Sequence, residues 1–194
     1  VIHFDSLGRP VYAVSDYGGG RTATVRSERD LTVRLSKMFD QAQREVASGF
    51  VGMAGTPIVG DSAEKGRRWT FQNVLGALVK TWDEHGRQFR AEYDNLHRPV
   101  STFVQQAGQA EILFTYVVYG DRLGQATAQT LNLLGTTHLI FDQAGMVRVP
   151  QLDFKGNPKS VDRILAKDYR NDLDWSALPG QADVAAIQVN ADPA

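Results

Sequence analysis

The chain has 194 residues, 42% of them hydrophobic and 22% charged, with a net charge of −1. These are values of a folded domain rather than a disordered chain, and near-neutrality removes any global electrostatic case for a nucleic-acid or anionic-membrane partner. No apolar run nears the ~18 residues of a membrane helix, and the absence of cysteine excludes disulfides, thiolate catalysis, zinc ribbons and iron–sulfur sites.

From the N terminus one short unit recurs: Asp-x-x-Gly, usually with an aromatic before the Asp, and often with Arg after the fourth position. Asp5-x-x-Gly8-Arg9 and Asp16-x-x-Gly19 stand eleven residues apart. Asp30-x-x-Val33-Arg34 and Asp40-x-x-Gln43-Arg44 are degenerate copies, and Gly52-x-x-Gly55 lies where another is expected. Residues Val59–Arg67 read as a loop ahead of a strand starting near Arg68. Asn73-x-x-Gly76, Asp83-x-x-Gly86-Arg87 and Asp94-x-x-His97-Arg98 then form a triplet spaced by ten and eleven residues. Residues Gly120–Thr130 lack alternation and read as a loop or short helix. A second triplet, Asn132-x-x-Gly135, Asp142-x-x-Gly145 and Asp153-x-x-Gly156, repeats the ten and eleven spacing.

The unit reads as a β-turn followed by a strand. Asp or Asn in first place accepts from a backbone N–H two residues on, and glycine supplies positive φ without a Cβ penalty. An eleven-residue unit leaves about 7 residues of strand, ~23 Å long. Between turns the residues alternate: Phe89, Ala91 and Tyr93 on one face, Gln88, Arg90 and Glu92 on the other, and Thr137, Leu139 and Phe141 in the same rhythm. Period-2 alternation punctuated by turns predicts a mainly β, antiparallel meander, apolar on one face and wet on the other. The turns count out to roughly eleven strand units. One short helix is predicted over 160–169, where Val161, Ile164, Leu165 and Tyr169 share a helical face behind Ser160 as N-cap, with Pro158 just outside. Residues 1–176 read as one repeat segment, and 177–194 as an extension or linker with a mobile end. Opening at Val1 rather than Met, the chain is expected to be part of a longer one, cut at both ends.

The series resembles the YD repeat of RHS-repeat proteins, and most closely the bacterial insecticidal toxin-complex subset. Four stretches carry the resemblance, starting at Phe4, Arg67, Asn132 and Ile164, and together they cover most of the chain. The resemblance implies a long, twisted antiparallel sheet of hairpins that forms part of a hollow shell around a toxin or effector segment. It further implies a structural, non-catalytic role and secretion or display at a bacterial cell surface. The partners it implies are the remaining shell, cognate toxin subunits and an enclosed C-terminal toxin. Departures from the pattern are Val33, Gln43 and His97 in place of turn glycine, Asn73 and Asn132 in place of Asp, and Gly52 in place of Asp. No counterpart of the self-cleaving core of RHS proteins is found in the sequence.

No constellation points to catalysis, a cofactor or a metal. The candidate residues are structural: the turn set Asp5, Gly8, Arg9, Asp83, Gly86, Arg87, Asp94, Arg98, Asp142, Gly145, Asp153 and Gly156. Aromatics before Asp (Phe4, Phe39, Trp82, Tyr93, Phe141) are expected to pack on the apolar face. Read instead as sugar-stacking platforms, they make an alternative of a cell-surface adhesin or carbohydrate-binding module. His85 and His97 both sit at turns but lack metal-ligand spacing. Asp83-Glu84 and Asp172/Asp174 are paired carboxylates in loops, where solvated charge is usual. Gly18-Gly19-Gly20-Arg21 lacks the Lys-Ser/Thr of a phosphate loop. An open sheet leaves unpaired edges, so pairing with neighbouring shell strands or edge-to-edge self-association is expected.

Overall fold

The computed structural model describes residues 1–30, 32, 34–168, 170–179 and 181. Among the described residues fourteen strands follow the chain: β1 (Ile2–Phe4), β2 (Pro10–Asp16), β3 (Thr22–Arg29), β4 (Leu35–Phe39), β5 (Glu45–Val51), β6 (Pro57–Ser62) and β7 (Gly66–Gln72). They continue as β8 (Leu78–Asp83), β9 (Gln88–Tyr93), β10 (Pro99–Gln105), β11 (Ile112–Tyr119), β12 (Thr137–Asp142), β13 (Gly145–Arg148) and β14 (Asp162–Leu165). The strands lie side by side in chain order. Between β11 and β12 come a 3-10 turn, Gly120–Leu123, and a short helix, α1 (Gln125–Thr130). The chain divides into two compact units, Val1–Gln88 and Phe89–Ala194.

Several expectations are corrected. Fourteen strands replace eleven, because not every hairpin carries the repeat signature. The turn from Gln106 to Gln109, with Gly108 at φ 74°, lacks an acidic residue at its head. Residues 59–67 are no loop: most belong to β6 and β7, joined by a tight turn and paired from Val59↔Trp69 to Ser62↔Gly66. The predicted helix over 160–169 is absent. Residues 162–165 form β14, with Ile164 opposite Met146 and Asp162 opposite Arg148. A run this short satisfies either periodicity, and the waiting backbone of β13 decides in favour of a strand. The helix is α1 instead, inside the stretch read as loop or short helix. Val33 and Tyr169, which carried parts of those readings, and residues 182–194 of the proposed extension lie outside the described residues.

In the first unit the expectation of one dry face fails. The described residues from Val1 to Gln88 form strands and turns with no helix or second layer, and no apolar side chain among them is fully buried. The buried residues there are polar, Thr81 and Asp83. This unit is a single-layer sheet reached by water from both sides. Its cohesion comes from the backbone ladder, cross-strand pairs and turn chemistry.

The second unit has a core. Leu113, Tyr116, Val118, Leu139, Phe141 and Met146 lie on one face of β11–β13 and are buried with Leu178. Tyr116↔Phe141↔Met146↔Ile164 is one cross-strand row of that face. The segment after β14 crosses this row. It bonds the backbone of β11 twice: Trp175 N–H donates to the Leu113 carbonyl (3.1 Å), and the Asp174 side chain accepts from Leu113 N–H at Oδ1 (2.9 Å). The Trp175 ring packs 5.3 Å from Phe141, and its Nε1–H donates to the Asp142 carbonyl at 3.1 Å. Gly145 makes the close approach of β14 to β13 possible. It sits at φ 123°, and a Cβ there would lie 2.2 Å from the Ile164 carbonyl oxygen.

Candidate functional site

The recurrent feature is the turn, and four copies share one geometry. At Asp83 the backbone N–H donates to the Arg87 carbonyl (3.0 Å), and the Gly86 N–H donates back to the Asp83 carbonyl (3.1 Å). Asp83 Oδ1 accepts from the N–H groups of His85 (3.0 Å) and Arg87 (2.9 Å), while Oδ2 accepts from Arg87 Nε (2.7 Å). This is a three-residue hairpin loop, a type I turn closed by a left-handed residue. The repeat acid satisfies loop donors that no strand can reach, and the following Arg folds back to neutralise it. Asp5/Arg9, Asp40/Arg44 and Asp94/Arg98 reproduce the Arg Nε to Asp Oδ2 contact at 2.7, 2.8 and 2.7 Å. Where glycine is missing, Gln43 (φ 61°) and His97 (φ 58°) are forced into the left-handed region.

Electrostatics follow this geometry. The backbone N–H and guanidinium of Arg9 hold the Asp5 carboxyl below the usual range, and Arg44 acts likewise on Asp40. At Asp83 and Asp94 burial pushes upward, but the N–H groups and guanidinia of Arg87 and Arg98 outweigh it and leave both lowered. Asp153 is lowered by the backbone N–H and side chain of Asn157.

The other copies vary the theme. Asn73 keeps both backbone acceptances, from Leu75 and Ala77 at 2.9 Å, with no cation to pair and none present at 77. Gly52-x-x-Gly55 keeps only the backbone bonds. Asp153 uses Asn157 in place of Arg. Asp16 caps Gly18 N–H, but its loop is displaced by one residue and closes between Tyr17 and Arg21. Asp142 and Gly145 do not form the turn at all: they pair directly across β12 and β13, leaving a two-residue connection. Asn132 is no turn head either. The turn there starts at Leu133, and Asn132 Nδ2 reaches the Leu152 carbonyl.

A second feature lies on the strands of the first unit. Leu35, Phe50, Val59, Trp69 and Trp82 are successive cross-strand partners through β4–β8. They make one apolar ladder on one face, and the rings of Trp69 and Trp82 stack at 6.4 Å with an 11° tilt. The next rung is charged, with Asp61 opposite and paired to Arg67. The rows of the other face carry small residues, such as Ser36, Gly49 and Gly60. Lys80, Trp82 and Gln88 line a shallow cleft of about 200 Å³ beside the ladder.

The aromatics before Asp therefore differ in fate. Phe141 is buried, Trp82 stacks on Trp69, and Phe39 supports the Arg26 guanidinium at 4.6 Å. Phe4 stays exposed and Tyr93 is half-buried. His85 and His97 lie in the turns that begin and end β9. Sequence reasoning missed Gln143, whose side-chain amide bonds Leu173 N–H, Leu173 carbonyl and Phe114 carbonyl. It also missed Asp121, which bonds Arg98 and the Gly135 N–H. Neither sits at a repeat position, so no local signal marks it.

No family model matches this chain, and no curated protein matches it. Solved structures do: the fold is shared with a stretch of the Tc toxin structures. The crystal structure of TcdB2-TccC3 matches over 98% of this chain and 10% of its own, with TM-score 0.79 and 18% identity. The TcdB2-TccC3-Cdc42 structure matches over 98% and 9% (0.78, 18%), and the Photorhabdus luminescens Tc holotoxin pore over 97% and 9% (0.78, 18%). The chain thus spans about a tenth of the length of these proteins, and at this identity the likeness is one of fold.

Proposed function

We propose that this chain is a non-catalytic stretch of β-wall that helps enclose and protect a toxin or effector segment of a secreted or surface-displayed bacterial toxin-like protein. The observation that carries this reading is the single-layer construction of the first unit. A sheet wetted on both faces is what a wall around a hollow requires, whereas an ordinary domain covers one face. The fold likeness to Tc proteins along nearly the whole chain supports it. In this reading residues 1–176 are one repeat segment, 177–194 lead onward, and the Asp–Arg turns hold the hairpins in register. The partners are further strands of the same wall, cognate subunits and the enclosed segment.

The test is limited proteolysis of the chain within its full natural reading frame. A flanking segment should resist protease while the sheet is folded and be digested once acid opens it. Equal digestion in both states overturns the proposal.

A carbohydrate-binding or adhesive role is the second reading, favoured by one observation: Trp82 is 37% exposed beside the cleft with Lys80 and Gln88. Glycan-array binding that is lost in Trp82→Ala, with the β circular-dichroism spectrum kept, would establish it. An array with no binder removes it.

A further inference from the structure

The cleft beside Trp82 brings together three kinds of side chain. Lys80 and Trp82 stand two residues apart on β8, so both rise from one face of the sheet, and Gln88 opens β9 beside them. Their cross-strand partners on β7 are Phe71, opposite Lys80, and Trp69, opposite Trp82. Two aromatic rungs therefore lie ~6.8 Å apart along the strands. Phe71 is 58% exposed, and the stack on Trp69 holds the Trp82 ring in place. The charge at this cleft is uncompensated. Lys80 is half-buried yet has no hydrogen-bond or ion-pair partner among the described residues. No acid lines the cleft, and the acids of the neighbouring positions are engaged elsewhere. Asp61 pairs with Arg67, Asp83 pairs with Arg87, and Glu84 accepts from the Arg67 N–H. A partly desolvated ammonium without a counter-ion favours an anion supplied from outside.

Each group restricts the occupant. An indole face takes a flat apolar surface, and the Gln88 amide both donates and accepts. A pyranose ring meets both demands, with C–H groups on its face and hydroxyls around its rim. One ammonium is a compact point charge and matches one negative group rather than a chain of them. Single-stranded nucleic acid also stacks on aromatics, but it needs a basic groove that tracks its backbone. Here the rung beyond the tryptophan pair carries both signs, with Asp61 opposite Arg67.

We propose that the cleft of Lys80, Trp82 and Gln88 binds a sugar residue bearing one negative charge, a carboxylate or a sulfate. The ring stacks on Trp82, the charge sits at Lys80 Nζ and a hydroxyl meets the Gln88 amide. Phe71, one rung along, receives the neighbouring ring of the same glycan. The inference rests on the carbohydrate-binding reading and narrows it to acidic glycans, and it is independent of whether the sheet also serves as a wall.

The experiment is calorimetric titration of the intact chain with three trisaccharides: trigalacturonic acid, neutral galactotriose and galactotriose sulfated on each ring. A charged trisaccharide should bind at least tenfold more tightly than the neutral one, and the tighter of the two distinguishes carboxylate from sulfate. In Lys80→Met that margin should vanish while the affinity for galactotriose stays the same, and Lys80→Arg should keep it. Trp82→Phe, which retains a ring, should weaken all three sugars together. The circular-dichroism spectrum should be unchanged in the Lys80 variants, because no partner is lost. Equal affinity for charged and neutral sugars, or a margin that survives Lys80→Met, overturns the inference and leaves the carbohydrate reading standing. Tighter binding of oligothymidylate than of any sugar also overturns it. So does binding of none of the three, and a glycan array without a binder removes the underlying reading as well.

Discussion

An aspartate at the head of a hairpin turn does two jobs in this chain. It accepts from loop N–H groups that would otherwise face only water, and it holds the following arginine over the loop. Asn73 separates the two: the backbone acceptances remain while position 77 is alanine. Asp83→Asn should therefore cost less than Asp83→Ala, and either change at this buried head should lower the urea midpoint more than the same change at Asp5. If Asn and Ala are equally damaging at position 83, the division of labour is wrong. A second residue-scale outcome follows from His97 at φ 58°. A side chain in the left-handed region costs roughly 1–2 kcal/mol, partly offset by the greater unfolded freedom of glycine. His97→Gly should stabilise by about 0.5–1 kcal/mol in urea unfolding, and a destabilised variant would show that the imidazole has an unrecognised partner.

Strands, and the segment after β14 that straps the face of β11–β13, depend on neighbours more than on their own residues. β14 carries a pattern that suits a helix, yet it pairs residue for residue with β13. Gln143 offers no motif, yet its amide ties three backbone groups of the strap and β11 together. The strap covers Phe141 through Trp175, so Trp175→Ala exposes the face on which the core rests. Large-to-small changes of aromatics in cores cost about 3–5 kcal/mol. Because Trp175 is only partly buried, the loss in the second unit should fall near 3 kcal/mol, read by chemical denaturation. A loss below about 1 kcal/mol would mean the strap adds little to the packing of β11–β13. The same dependence on partners explains why the two triplets, alike in spacing, differ in structure. Asp83 and Asp94 form the acid-headed loop, whereas Asp142 is drawn into a two-residue hairpin by the pairing of β12 with β13.

Across the molecule, pH should act in two windows. Asp5, Asp40, Asp83, Asp94, Asp121 and Asp153 all have lowered carboxyl pKa values in the folded state. Their contribution is complete above the unfolded value of about 3.9 and is lost as pH falls through the lower folded values. His138 is buried, with Nδ1 2.9 Å from the Val149 carbonyl, and burial lowers its pKa too. Its neutral form is favoured, so stability is full above about 6.5 and declines as pH falls toward the folded value. The urea midpoint followed by tryptophan fluorescence should be level above pH 7, decline below about 6.5 and fall again below about 4. In His138→Phe the first decline should vanish and the second remain, with the baseline lowered by about 1–3 kcal/mol for the orphaned Val149 carbonyl. A first decline that survives the substitution would place its origin in another group.

Turns and alternation are local. An acid or amide that reaches its own loop, and a glycine or a forced left-handed residue three places on, need only five residues, so sequence by itself determined a mainly β meander and most of its hairpins. What it could not contain was which faces are covered. Burial is a property of pairs of distant segments, and the tertiary structure alone decided that the strap after β14 dries one face of β11–β13 while the first unit stays a single wet layer.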